Sequence, residues 1–143
     1  MKGRILSVTN IVPGNQLIIG TSQSDTFNIA KSNTEVAVFG ENGDDLLNIK
    51  DNNTYTEFTG GDGTDTVSLP GNMDDYSAQF MDFAPGDPPV LRVIERKTGK
   101  PVAMLDLSME IFKFADITVS DTDIIPTLIA AHARDKAAAM NGG

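Results

Sequence analysis

The chain has 143 residues, a formal net charge of −9, one histidine and no cysteine. That length suits a single folded unit with a real core. The acidity argues against nucleic acid and anionic membranes as partners, because both need a basic stripe. The missing cysteines exclude disulfides and thiolate zinc sites, and a lone histidine leaves few imidazole ligands, so any resident metal is expected to be held by oxygen.

No run of about 18 apolar residues marks a membrane span, and the opening MKGRILSVTNIVPGNQ lacks the apolar stretch of a cleavable secretory signal. Export, if it occurs, is expected by another route. Residues 1–12 are expected to cap one end of the fold.

The next elements repeat every twenty residues. Aligned from Gly20, Gly40 and Gly60, the copies GTSQSDTFN, GENGDDLLN and GGDGTDTVS place Asp25, Asp45 and Asp65 at the sixth position. Phe27, Leu47 and Val67 come eighth; Ile29, Ile49 and Leu69 come tenth. These apolar positions alternate with Asn28, Asn48 and Ser68, the period-two pattern of a half-buried strand after a Gly/Asp turn. The other half of each period supplies a weaker second strand, at Gln16 and Ile18, Val36 and Val38, and Thr56 and Phe58. Two strands per period of twenty predict a β-solenoid, in which repeats stack because none can bury its apolar residues alone.

Stacking at roughly 4.8 Å puts the three aspartates in a column. Unit charges about 5 Å apart repel by roughly 3 kcal/mol at an effective dielectric near 20, so a bare column opposes the stacking that builds the core. A cation between the layers reverses the sign. Calcium suits the place, since it accepts six to eight oxygens in flexible geometry and a Gly-rich turn exposes carbonyls to complete its shell; magnesium wants a tighter octahedron. A calcium-free stack with Asn and Asp in its turns is the alternative. Charge is concentrated where the reading needs it: Gly20 to Asp75 holds eleven acids against Lys31 and Lys50, and the remaining nine acids are matched by nine bases.

GGDGTDTVS at 60–68 resembles the nonapeptide G-G-x-G-x-D-x-U-x of repeats-in-toxin (RTX) proteins. GENGDDLLN keeps two of the glycines and the aspartate, with Glu41 in the second place; GTSQSDTFN keeps Gly20, Asp25 and Phe27. The resemblance implies a parallel β-roll whose calcium ligands are Asp25, Asp45 and Asp65, with carbonyls from the turns at Gly40, Asn42, Gly60 and Asp62. Asp44 lies in the same acidic pair as Asp45. In the family the nonapeptides usually succeed one another directly; here the alternate half-turns carry Asn15, Glu35 and Tyr55 in the sixth place, so only one edge is expected to bind calcium. Three turns leave two gaps, hence about two ions, between the turns of Asp25 and Asp45 and of Asp45 and Asp65.

Past the repeats, LPGNMDDYSAQF, LRVIERKTGK and MEIFKFADITVS resemble the segment that closes RTX regions, through Gly71, Asn72, Tyr76, Thr98, Gly99, Glu110, Phe112, Phe114, Ala115 and Asp116. YSAQFMDF, PVLRVIER and PVAMLDLS read as antiparallel strands, with turns at 84–89 and 97–100. From Asp121 the composition turns helical, with alanines favouring a helix over about 124–140, Pro126 in its first turn and Asn141-Gly142-Gly143 as its stop. Ile125, Leu128, Ile129 and His132 share a face that either packs on the sheet or docks a partner.

The expected architecture is therefore all-β: a short parallel β-roll over 1–71 (repeats at 20–29, 40–49 and 60–69), an antiparallel cap over 72–120, and a C-terminal helix and tail over 121–143. His132 has no marked nucleophile beside it. DNNTYTEF lacks the glycine and final glutamate of an EF-hand loop, and GGDGTD lacks the Lys-Ser/Thr of a phosphate loop. The expected function is a non-enzymatic, calcium-binding, RTX-like module, secreted or surface-exposed, which the resemblance associates with type I export and folding outside the cell. The alternative is a structural component decorating a larger assembly, such as a surface layer or virus particle. Calcium and a protein partner, or self-assembly through the helix, are the expected interactions.

Overall fold

Alternate residues of the repeats turn inward, and this alternation organises the fold. In a computed structural model, which describes residues 7–11, 16–29, 35–51, 55–82, 85–86 and 89–140, β3 (Asp25–Ile29) buries Asp25, Phe27 and Ile29 and exposes the residues between them more. β5 (Leu46–Ile49) buries Leu47 and Ile49, and β7 (Asp65–Ser68) buries Asp65 and Val67. With β1 (Ser7–Ile11) they lie parallel in the order β1-β3-β5-β7, Phe27 beside Leu47 and Leu47 beside Val67. The twenty-residue spacing is thus the register of the sheet.

The second half of each period forms the other sheet. β2 (Gln16–Ile19), β4 (Val36–Phe39) and β6 (Thr56–Thr59) are parallel, with Val36 beside Thr56 and Val38 beside Phe58. The chain passes alternately from one sheet to the other, and their inner residues meet in one apolar cluster; the Phe27 and Phe58 rings lie 6.1 Å apart, edge to face.

Beyond the repeats the antiparallel expectation holds for β8 (Tyr76–Met81), β9 (Val90–Glu95) and β10 (Pro101–Leu105), which pair in that manner. Lys97–Lys100 turns between β9 and β10, with Gly99 at φ +75° and its N–H donating to the Glu95 carbonyl. A correction concerns the cap over 72–120. The far side of β10 pairs in parallel with β6, and β11 (Met109–Lys113) pairs in parallel with β7. Residues 101–113 therefore add a layer in the same sense as the repeats. Only β12 (Thr118–Ser120) runs antiparallel at that end of the first sheet. The result is mostly β: two mixed parallel and antiparallel sheets, ordered β1-β3-β5-β7-β11-β12 and β2-β4-β6-β10-β9-β8, with one C-terminal helix.

At the opposite end, Ser7–Ile11 is the outermost strand of the first sheet, eighteen residues before its neighbour in the pairing Ser7 with Asp25. The remainder of the expected 1–12 cap, Asn15, half of the 84–89 turn (84, 87 and 88) and the Asn141–Gly143 stop lie outside the described residues.

The helix α1 (Asp121–Met140) begins three residues before the expected start, so Pro126 sits in its second turn. Asp121 and Asp123 in the first turn favour the N-terminal end of the helix dipole. Ile124, Leu128 and Ala131 are buried, Ile125 and Ile129 flank them, and the helix packs against β8, β11 and β12. Packing on the sheets uses the apolar face, with Ile124 rather than Ile125 at its centre. Among the described residues no helix is long and apolar enough to cross a membrane.

One core residue is out of keeping. Thr56 is fully buried between Val36 and Ala103, and its Oγ1 has no hydrogen-bond partner. Thr56→Val keeps the shape and removes the orphaned hydroxyl, so it is expected to stabilise the fold by about 1 kcal/mol in urea denaturation.

Candidate metal centre

The turns before β3, β5 and β7 carry the three aspartates into the column that their spacing predicts. All three are buried, at 1%, 1% and 0% exposure for Asp25, Asp45 and Asp65. Each carboxylate after the first accepts the N–H of the aspartate one layer before it: Asp25 N donates to Asp45 Oδ1 at 2.9 Å, and Asp45 N to Asp65 Oδ1 at 3.0 Å. The opening glycines are tied in the same way, Gly20 N donating to the Phe39 carbonyl and Gly40 N to the Thr59 carbonyl.

Glycine is required there because the space is occupied. A β-carbon on Gly40 would lie 2.5 Å from Asp45 Oδ2 and 2.9 Å from the Gly60 carbonyl oxygen; on Gly20 it would meet Asp25 Oδ2 at 2.5 Å and the Gly40 carbonyl at 2.8 Å. The carboxylate oxygen of one layer and the first carbonyl of the next thus converge on Gly20 and on Gly40, whereas at Gly60 the nearest atoms are all of the Asp65 side chain. Gly43 and Gly63 adopt φ +96° and +97°, and a side chain on either would strike a carbonyl of the preceding turn. Glu41 takes the same left-handed conformation as Gly61, at φ +68° against +79°, although a side chain there costs roughly 1 kcal/mol.

The three aspartates are not equivalent. Thr21 closes around Asp25, its N–H donating to Oδ2 at 2.7 Å and its hydroxyl to Oδ1 at 2.9 Å. The other two copies have no such residue, and Asp45 Oδ2 and Asp65 Oδ2 are buried without a hydrogen-bond partner. Burial is the main cause that raises both carboxyls from 3.8 to about 7. For Asp45 the N–H of Asp25 opposes this, while the charges of Asp65, Asp25 and Asp44 add to it. For Asp65 the N–H of Asp45 opposes, and Glu110, Asp106 and Asp44 add.

The remaining candidates occupy the turns themselves. Asp44 is exposed, and its Oδ1 accepts the Thr64 N–H at 2.8 Å, joining adjacent turns. Asn42 and Asp62 sit at the exposed tips, and Gly40 and Gly60 at the turn entrances. Among the described residues no group of three or more His, Cys, Asp and Glu side chains forms a ready-made metal cage. A cation in this column would therefore need backbone carbonyls as well as carboxylates. The residues present fit such an ion: two buried anionic oxygens lack partners, and the glycines leave carbonyl oxygen beside at least one of them.

Sequence reasoning missed two members of the column. Asp65 N donates to Glu110 Oε1 at 2.8 Å, and Gly60 N to Asp106 Oδ1 at 3.1 Å. Glu110 sits at a bulge between β11 and β7, which removes it from the twenty-residue spacing. Five of the ten residues named above for the closing segment, Gly71, Tyr76, Phe114, Ala115 and Asp116, meet in space. Gly71 N donates to the Tyr76 hydroxyl, Met73 N to Asp116 Oδ1 and Ala115 N to the Gly71 carbonyl, and the Tyr76 and Phe114 rings lie 5.7 Å apart.

His132 is far from this column in role and setting. It lines a cleft of about 410 Å³ between α1 and the outer face of β8 and β9, together with Arg92, Arg96, Asp135 and Lys136. Arg96 holds Asp135 through two 2.8 Å bonds, which keeps the Asp135 carboxyl below its ordinary value.

No protein-family model matches the chain, and neither a curated protein nor a solved structure matches it significantly.

Proposed function

We propose that the protein is a non-enzymatic, calcium-binding, RTX-like β-roll module, stabilised by the ion and working outside the cell or on a surface. The observation that carries this reading is the pair of buried, partnerless Oδ2 atoms of Asp45 and Asp65 in a column of stacked Gly/Asp turns. The parallel layers, alternating between two sheets at a spacing of twenty, support the solenoid part. Calcium supplies positive charge where two carboxylates would otherwise face burial unpaired, and Asp45, Asp65 and the turn carbonyls would hold it. Its role is structural: an ion that binds only the folded chain stabilises it by about 2.7 kcal/mol per site at a hundred times the dissociation constant. Millimolar calcium outside cells and its scarcity inside make such a module selective for the exterior.

The test is thermal unfolding of chelator-treated protein titrated with calcium, with magnesium as the comparison. Calcium is expected to raise the melting temperature by about 10 °C or more and magnesium by far less; a melting temperature indifferent to both ions overturns the reading.

The assembly alternative has one observation in its favour. On the outer face at β2, the last strand of its sheet among the described residues, Leu17 and Ile19 are each 63% exposed and Phe39 39%, and an edge strand beside apolar side chains favours strand addition. Sedimentation of the calcium-loaded protein distinguishes the two: a monomer supports the solitary module, an oligomer broken by Leu17→Ser and Ile19→Ser the assembly.

A further inference from the structure

The cleft between α1 and the outer face of β8 and β9 has a volume of about 410 Å³, within the range of small-molecule sites, about 300–1,000 Å³. Ser77 pairs with Ile94 and Gln79 with Arg92 across the two strands, so these four side chains share one face and form the floor. Ser77 and Ile94 are buried there, at 1% and 7% exposure. His132, Asp135 and Lys136 stand at positions i, i+3 and i+4 of the helix and form one wall.

Positive charge is left over in this cleft. Arg96 is held, its Nε and Nη2 donating to the two oxygens of Asp135 at 2.8 Å and its Nη1 to the Asp74 carbonyl at 3.2 Å, so this pair is fixed and nearly neutral. Arg92, half-buried in the floor, and Lys136, exposed on the wall, have no ion-pair partner among the described residues. Asp135 is the only acid in the lining. The segments that build the cleft are biased the same way, since residues 92–100 hold four and residues 134–136 two of the chain's eleven Lys and Arg, against Glu95 and Asp135 alone. In a chain of net charge −9 whose surplus of acid lies in the repeats, this cleft has the opposite sign.

We infer that the cleft binds a small, polar anion through its phosphate group, with Arg92 and Lys136 as the counter-charges and the Arg96–Asp135 pair as a fixed wall. A guanidinium suits phosphate because its fork meets two oxygens at once, and a cleft lined by one sign of charge concentrates an anion of the other. Ile94 is the only apolar side chain in the lining, while Ser77, Gln79 and His132 offer hydrogen-bonding groups. The rest of the ligand is therefore polar, as in a sugar or polyol phosphate. A long polyanion is disfavoured, because its remainder would lie against an acidic protein. The site uses none of the column aspartates, so it stands or falls apart from the calcium reading.

The chain's single histidine makes the test specific, because the ring signals of His132 report on this cleft alone. They are followed by NMR on the whole chain as inorganic phosphate, glycerol phosphate or glycerol is added at constant pH and ionic strength, with calcium kept below the level that precipitates its phosphate. Both phosphates are expected to shift the ring signals saturably, and glycerol is not. Tighter binding of the ester supports a small phosphate ester as the ligand; binding no tighter than inorganic phosphate supports free phosphate. In the double variant Arg92→Gln with Lys136→Gln, affinity should fall at least tenfold while circular dichroism and melting temperature stay unchanged. Ring signals that ignore both phosphates, or that answer equally to sodium chloride, overturn the proposal, as does full affinity in the double variant.

Discussion

In chelator, the protein is expected to melt at a higher temperature at pH 5 than at pH 8, and in millimolar calcium the order should reverse. The sign comes from Asp45 and Asp65, whose carboxyls are raised from 3.8 to about 7 by burial and by their acidic neighbours. A carboxyl with a folded value above its unfolded one binds its proton more tightly in the native state, so the ion-free fold loses stability as pH rises from about 4 to 7. Every tenfold gain in proton affinity is worth about 1.4 kcal/mol, which puts the combined effect at several kcal/mol, or about 10 °C or more. Asp135, held low by Arg96, works in the opposite direction, but only in the acid range below its ordinary value. Calcium competes with protons for the same oxygens, so its contribution grows as the carboxyls ionise. Melting curves at four pH values in the two buffers check this, with added sodium chloride in both to screen the net charge of −9. The same pH slope with and without calcium would count against the ion being bound by these aspartates.

Asp45→Asn is expected to have opposite signs under the same two conditions. Without calcium at pH 8 it removes a buried charge that has no partner on Oδ2, and it keeps an Oδ1 able to accept the Asp25 N–H. It should therefore stabilise the ion-free protein, on the order of 2 kcal/mol or more. In calcium the same change discards an anionic ligand and should cost at least as much, with calcium affinity falling more than tenfold. Asp25→Asn provides the contrast, because Thr21 donates to both oxygens of Asp25 and no orphan is relieved. Urea titrations of the three proteins with and without calcium read both signs at once. Destabilisation by Asp45→Asn in chelator would show that its carboxylate is satisfied without an ion.

Much of the fold was legible in the sequence, for a physical reason. A parallel stack forces equivalent residues into one column, so Asp25, Asp45 and Asp65, and Phe27, Leu47 and Val67, recur at the interval that sets the register. Residues 101–113 left no such trace. Their turn uses the carboxylates of Asp106 and Glu110 where the repeats use carbonyls and aspartates, so no glycine marks it, and the bulge at Glu110 shifts the spacing. The inequality of the aspartates was hidden for a related reason. Thr21 reads as a lost glycine, whereas in the fold it is a donor that completes Asp25. At the helix, the periodicity located the apolar face but missed its centre by one residue, since Ile124 is buried and Ile125 only flanks the core.

The parallel pairing of β10 on β6 and of β11 on β7 also carries a kinetic consequence. The antiparallel strands β8, β9 and β10 are joined by short connections of consecutive strands, whereas each parallel layer must first bring together residues a full period or more apart. The cheapest nucleus is therefore the segment Tyr76–Leu105, which presents one finished strand edge for β6 to join. Layers then add from this end toward β1 and β2, each completed strand serving as the template for the one before it in sequence. Growth in that direction makes the outermost layer the last to form and the first to fray.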